Sequence, residues 1–355
     1  MDLNDLAAFK RLDRENMLAE IESLPDQLLQ AWDSSQTQPL PNWGNIRRVL
    51  VAGMGGSAIG ADLLAAYVAP QLAVPLVVNR NYDLPAWAAG EETLVIASSH
   101  SGNTEETLSG FDQAVKNGCR VLAVTTGGKL AKAAGQAGAP VWQFEHQGQP
   151  RAAVGYSFGL LLGVLARLSL ISDPAAELAG AAEALRAQQV SIGVEVPADV
   201  NPAKRIAGQL YGRYVMVYGA DILEPVARRW KGQISEIAKA VGAFEALPEA
   251  DHNTLAGVNH PEEVLSKVAM IFLRAPSYHP RNRLRVELTR RGFMLEGLST
   301  DIIEAVGQTP LAQQWTCLHF GDYNAYYLAM AYGVDPTPVE AIESFKTEMK
   351  HAGPG

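Results

Sequence analysis

The chain has 355 residues, 48% of them hydrophobic and 19% charged, with a net charge of −9. This length exceeds the roughly 250 residues at which single cores stop growing, so two domains are expected, and the apolar fraction excludes a disordered chain. The acidic balance, with no Lys/Arg run longer than a pair, excludes nucleic acid as the main partner.

No apolar run approaches the roughly 18 residues of a membrane span, and Met1–Asp5 has neither a basic nor an apolar leader region. Cys119 and Cys317 are far apart and show no metal-ligand spacing. A cytoplasmic protein in a reducing compartment, with no structural zinc and no membrane partner, is therefore expected.

In chain order, residues 15–33 read as helical pieces through Met17, Ile21, Leu24, Leu28 and Leu29. Arg47–Ala52 is a short apolar run that stops at glycine, as a strand buried on both faces does in a parallel sheet. A helical pattern follows through Ile59, Leu63, Leu64, Tyr67 and Val68. The alternation recurs at 76–78, 93–97 and 120–124, which predicts a doubly wound α/β sheet with helices on both faces. In such sheets ligands bind beyond the carboxyl ends of the strands.

A weaker echo predicts strands at 214–219, 268–273 and 292–296, offset from the first set by about 165 to 175 residues. This suggests a duplicated α/β unit. The expected division is an N-terminal domain over 1–190, with the leading helices, and a C-terminal domain over 191–355. The Ala-rich stretch 174–189 would be helix plus linker.

Two loops follow predicted strands. Gly53-Met54-Gly55-Gly56-Ser57 leads into a helix, where free N–H groups and the helix dipole favour an anion. The same loop also satisfies the loose dinucleotide pattern through Gly53, Gly55 and Ala58. The second strand, however, ends at Asn79-Arg80 rather than an acidic residue, and Arg80 would suit only a 2′-phosphate. Ser98-Ser99-His100-Ser101-Gly102-Asn103-Thr104 clusters hydroxyls around one glycine, a compact phosphate cradle. An ordinary helix cap, Asn103 or Thr104 with Glu106 or Thr107, would use the same residues.

The pair Gly-x-Gly-Gly-Ser and Ser-x-Ser-Gly-Asn-Thr resembles the sugar isomerase (SIS) domain. Gln149-Pro150-Arg151, Gln233-Ile234-Ser235-Glu236, Asp251-His252-Asn253 and Asp335-Pro336-Thr337-Pro338-Val339, in that order, are similar to the bifunctional phosphoglucose/phosphomannose isomerases. The likeness runs from about Leu12 to Lys346 and implies two SIS-type domains, each a mainly parallel sheet flanked by helices. His100 departs from it, standing where tyrosine is expected.

Interconverting an aldose and a ketose needs one base that moves a proton between neighbouring carbons through an enediol. Glu236, between Ile234 and Ile237 in a helical stretch, could be that base in a partly desolvated setting, although by composition alone such a residue is more often an exposed helix residue, here paired with Lys239. Arg151 could stabilise the enediolate oxygen, although a loop arginine commonly pairs with a surface acid. His252 could move the ring-opening proton, since imidazole exchanges protons near neutrality, although a histidine in a polar loop is more often a surface residue. Lys346, which could simply snorkel beside the stripe of Ile342, Phe345 and Met349, would by resemblance assist ring opening.

The resemblance implies that His252 completes the partner subunit's site in a homodimer. Accepting both C2 epimers needs room to rotate about C2–C3, and Thr337 near the C-terminal helix would contribute to that room. The substrate phosphate would be held by Gly55, Gly56, Ser57, Ser99, Ser101 and Thr104. No motif calls for a metal, and no cofactor is expected. The expected activity interconverts glucose 6-phosphate and mannose 6-phosphate with fructose 6-phosphate. A non-catalytic sugar-phosphate sensor and an NADP-dependent oxidoreductase are the alternatives.

Overall fold

Three helices lead the chain in the computed structural model, which describes residues 2–353: α1 (Leu6–Leu12), α2 (Met17–Glu22) and α3 (Leu24–Thr37). The first α/β unit follows with β1 (Arg48–Ala52), α4 (Gly55–Val68), β2 (Leu76–Asn79), β3 (Thr93–Ser98), α5 (Glu105–Lys116), β4 (Arg120–Thr125), α6 (Gly128–Gln136) and β5 (Val141–Gln143). Its strands are parallel throughout, in the order β2-β1-β3-β4-β5. β3 is buried at every residue, which is why it reads as an unbroken apolar run rather than an alternating one.

Helices α7 (Val154–Arg167), α8 (Ala175–Ile192) and α9 (Pro202–Leu210) connect to the second unit. That unit holds β6 (Tyr214–Ala220), α10 (Glu224–Glu236), β7 (Gly242–Leu247), α11 (Glu262–Leu265), β8 (Val268–Arg274), α12 (Pro280–Leu295) and β9 (Ser299–Glu304). The strand order β7-β6-β8-β9, again all parallel, repeats the second-first-third-fourth order of the first sheet. The predicted strand at 292–296 is corrected: those residues close α12, and the fourth strand is β9. β9 was illegible because only Ile303 in it is buried, so no apolar run marks it.

The two sheets share one core. Helix α13 (Pro310–Tyr332) is buried at every residue from Leu311 to Met330 and therefore shows no amphipathic stripe. Trp315 meets Phe158 of α7 edge to face at 5.0 Å, and Gln314 donates to the carbonyls of Leu63 at 3.1 Å and Ile222 at 3.0 Å. One buried side chain thus ties α13 to backbone from both units. Each large apolar side chain in this core stabilises the fold by about 1.5–3 kcal/mol. The final helix α14 (Glu340–Ala352) has no buried residue.

Candidate active site

The strand-to-helix turns after β1 and β3 lie side by side because those strands pair, Ala52 opposite Ala97. A side chain at Gly53 would put its Cβ 2.9 Å from the Ser98 carbonyl oxygen, so only glycine lets the two turns approach this closely. Gly55 opens α4 in the left-handed region at φ +50°. Neither Met54 before α4 nor Thr104 before α5 makes a side-chain cap hydrogen bond. The cap that could have explained the second loop is therefore absent, and both helix starts keep their dipoles for an anion.

The hydroxyls instead shape the second loop. Ser99 Oγ lies 2.9 Å from Thr104 Oγ1 and accepts from the Gly102 amide at 3.1 Å, and Ser101 Oγ accepts from the Asn103 amide at 3.2 Å. Ser57 and Ser99 are buried. Arg80, the cation a dinucleotide 2′-phosphate would need, is already paired with Asp62.

The third wall comes from the 3-10 turn Pro150–Ala152, which presses its Pro150 carbonyl against Gly56 where a Cβ would sit. Arg151 is 4% exposed, with Nη1 3.6 Å from Glu236 Oε2. Its Nη2 donates to the Pro336 carbonyl at 3.1 Å and to the Thr337 carbonyl, which moors the segment before α14. Among the described residues its buried Nε atom has no partner. Burial, ahead of any charged neighbour, lowers the guanidinium's affinity for its proton, although it stays charged.

Behind it lies a buried network. Arg229 on α10 pairs with Asp322 of α13 through Nε at 3.1 Å and Nη2 at 2.6 Å, and Nη2 also donates to the Arg151 carbonyl at 3.0 Å. Gln233, one turn before Glu236, donates to Asp322 at 3.0 Å. Burial raises the Asp322 carboxyl above its ordinary range, against the pull of Arg229. A single carboxylate thus holds both the helix carrying Glu236 and the backbone carrying Arg151. Sequence reasoning missed this role, because nothing marks Asp322 inside an unpatterned helix.

Glu236 ends α10, and its side chain is 34% exposed, so the carboxylate is open to a ligand. Lys239 does not pair with that carboxylate. Its Nζ donates to the Glu236 carbonyl at 2.5 Å and to the Pro336 carbonyl at 3.4 Å. Burial, then the Arg151 charge, pushes Lys239 down to about 8. Thr337 is buried beside Arg151, and its Oγ1 has no partner among the described residues.

The structure thus brings the two loops, Arg151, Glu236 and Thr337 into one region through named contacts. His252 and Lys346 form no hydrogen bond or ion pair with Glu236 within the chain. His252 is exposed at the end of the 3-10 turn Glu249–His252, whose Asp251 is clamped by Arg285 at 2.7 Å and Thr289 at 2.6 Å. Lys346 is exposed on α14. A cavity of about 600 Å³ lined by Gln188, Arg205 and Asp301 shares none of the predicted site residues.

Uncapped turns at the carboxyl ends of a parallel sheet, facing a buried arginine and an open carboxylate, define an SIS-type sugar-phosphate protein. Residues 199–349 match the model of the bacterial phospho-glucose isomerase C-terminal SIS domain. The bifunctional phosphoglucose/phosphomannose isomerase of Caldicellulosiruptor bescii is 36% identical over 94% of this chain and 98% of its own. That of Aquifex aeolicus is 33% identical over 85% and 90%. The fold is shared with a hypothetical protein of Thermus thermophilus, at a TM-score of 0.74 and 15% identity, covering 98% of this chain and 94% of that one. The chain belongs to the bifunctional phosphoglucose/phosphomannose isomerase family.

Proposed function

We propose that the chain interconverts glucose 6-phosphate and mannose 6-phosphate with fructose 6-phosphate through a cis-enediol. The observation that carries this reading is Glu236 Oε2, open to a ligand and 3.6 Å from a buried Arg151, beside two uncapped helix starts. The amides of Gly55 and Gly56 and the hydroxyls of Ser57, Ser99, Ser101 and Thr104 hold the phosphate without a lysine cluster, which suits an acidic chain. Glu236 removes the C2 proton of the open-chain aldose and returns it to C1. Negative charge that builds on the enediolate oxygen is met by Arg151, whose geometry is set in advance by Asp322 and Arg229.

Cyclic substrates need a second proton carrier. His252 and Lys346 take that role in a cytoplasmic homodimer, each chain's His252 completing the partner's site. Three facts support this arrangement: the clamped Asp251 beside an exposed His252, an α14 with no buried residue, and the exposed apolar side chains of Ile342, Phe345 and Met349 on it. Thr337 leaves room for rotation about C2–C3, so both epimers are accepted.

The test is turnover of both aldose phosphates with fructose 6-phosphate as the common product, alongside Glu236→Gln. That variant is expected to lose at least about 10²-fold in kcat while still binding sugar phosphate. Undiminished turnover would remove Glu236 as the base, and binding without turnover in the parent protein would favour the sensor. Sedimentation of the full chain tests the dimer; a monomer that keeps full activity contradicts it.

A further inference from the structure

The side chain of His100 begins a chain of polar contacts. Its Nε2 lies 2.9 Å from Nδ1 of His146, whose Nε2 lies 2.9 Å from Glu20 Oε2 on α2. Phe144 and Tyr156 enclose the pair: His100 meets Phe144 at 5.8 Å, His146 meets Tyr156 at 5.8 Å, and those two rings stack at 5.3 Å. A Cβ at Gly148 would collide with Glu20 and come within 2.8 Å of His146 Cε1, so the glycine leaves room for the pair. The His146 side chain is 7% exposed.

For a neutral pair of imidazoles these contacts select one tautomer. A carboxylate only accepts, so Glu20 holds a proton on His146 Nε2, and with that ring neutral its Nδ1 is an acceptor. His100 must donate to it through Nε2, which leaves His100 Nδ1 as a bare lone pair. Among the described residues Nδ1 has no protein partner, yet it is not sealed from solvent. Burial, followed by the neighbouring His146, pushes His100 down to about 4, so the ring is neutral at working pH.

We propose that His100 is a substrate-contacting specificity residue whose Nδ1 accepts a hydrogen bond from the C4 hydroxyl of the sugar, with His146 and Glu20 as the residues that position it. The inference rests on the functional reading above. A lone pair would repel a phosphate oxygen, so the partner must be a hydroxyl. His100 sits between two of the phosphate-loop serines, which places it at the C6 end of the substrate. The free hydroxyl nearest C6 in both the cyclic aldose and the cyclic ketose is the one on C4.

The experiment compares kcat/KM for fructose 6-phosphate and its 4-deoxy analogue in the parent protein and in His100→Phe, at about pH 8 where imidazoles are ordinarily neutral. The parent protein is expected to lose roughly tenfold to hundredfold on the analogue. His100→Phe is expected to lose a similar factor on fructose 6-phosphate, with less than about twofold left between the two substrates. His146→Phe, which keeps His100 but frees its tautomer, should weaken the discrimination. The ¹⁵N spectrum of histidine-labelled protein should show His100 Nδ1 unprotonated.

No discrimination by the parent protein, an unchanged 4-deoxy penalty in His100→Phe, or a protonated Nδ1 each overturns the proposal while leaving the isomerase reading intact. Should His100→Phe not fold, the parent discrimination and the spectrum decide alone. Absence of turnover on fructose 6-phosphate would overturn both readings together.

Discussion

Arg151, in the turn after β5, and Glu236, at the end of α10, are distant in sequence, yet the guanidinium Nη1 lies 3.6 Å from the carboxylate Oε2, with only the carboxylate substantially open to solvent. The arginine is fixed by two carbonyls at its tip and by Arg229 at its own carbonyl. Lysine has no planar fork and cannot serve both carbonyls and the substrate. Arg151→Lys is expected to lower kcat by roughly 10²-fold, with KM for fructose 6-phosphate little changed. A change confined to KM would mean that Arg151 only binds.

Asp322 is the hidden support of that pair. Asp322→Asn leaves Arg229 charged, 4% exposed and without its counter-ion, a loss of about 3–5 kcal/mol in a denaturant titration. Replacing both partners with apolar residues, Arg229→Met with Asp322→Leu, is expected to cost less than the single change. A double variant less stable than Asp322→Asn would show that the pair contributes net stability.

Close approach of the turn after β1 to the Pro150 turn leaves no room at Gly56, where an added Cβ would also lie 2.8 Å from the Pro150 carbonyl carbon. Gly56→Ala is expected to destabilise by about 1–3 kcal/mol and to weaken phosphate binding, measured by unfolding and by inorganic phosphate titration. Gly44→Ala is the control, because nothing lies within 4 Å of its Cβ position.

Lys239 couples the site to pH. Its ammonium bonds the Glu236 and Pro336 carbonyls, and burial pushes it down to about 8. The charged form is present below that value and lost above it, so kcat/KM is expected to fall as pH rises through about 8. Lys239→Arg, charged throughout, should flatten that limb of the profile. An unchanged alkaline limb in the variant would assign the fall to another group.

Local patterning by itself determined the α/β class, the positions of β1, β3, β4, β6 and β8, and the glycine-bearing turns after β1 and β3. Strands buried on both faces must be apolar throughout, and close-packed turns must use glycine, so these features are written locally. The ordered motifs also marked Arg151 and Glu236 as candidates. Tertiary structure alone decided that the two meet, that Asp322 supports both, and that Lys239 serves carbonyls rather than the Glu236 carboxylate. It also decided what His100 faces, since Glu20, His100 and His146 are not neighbours in sequence and are joined only through His146, in the segment after β5. α13 stayed silent because a helix buried on every side carries no stripe, and β9 because a strand that is largely unburied carries no apolar run.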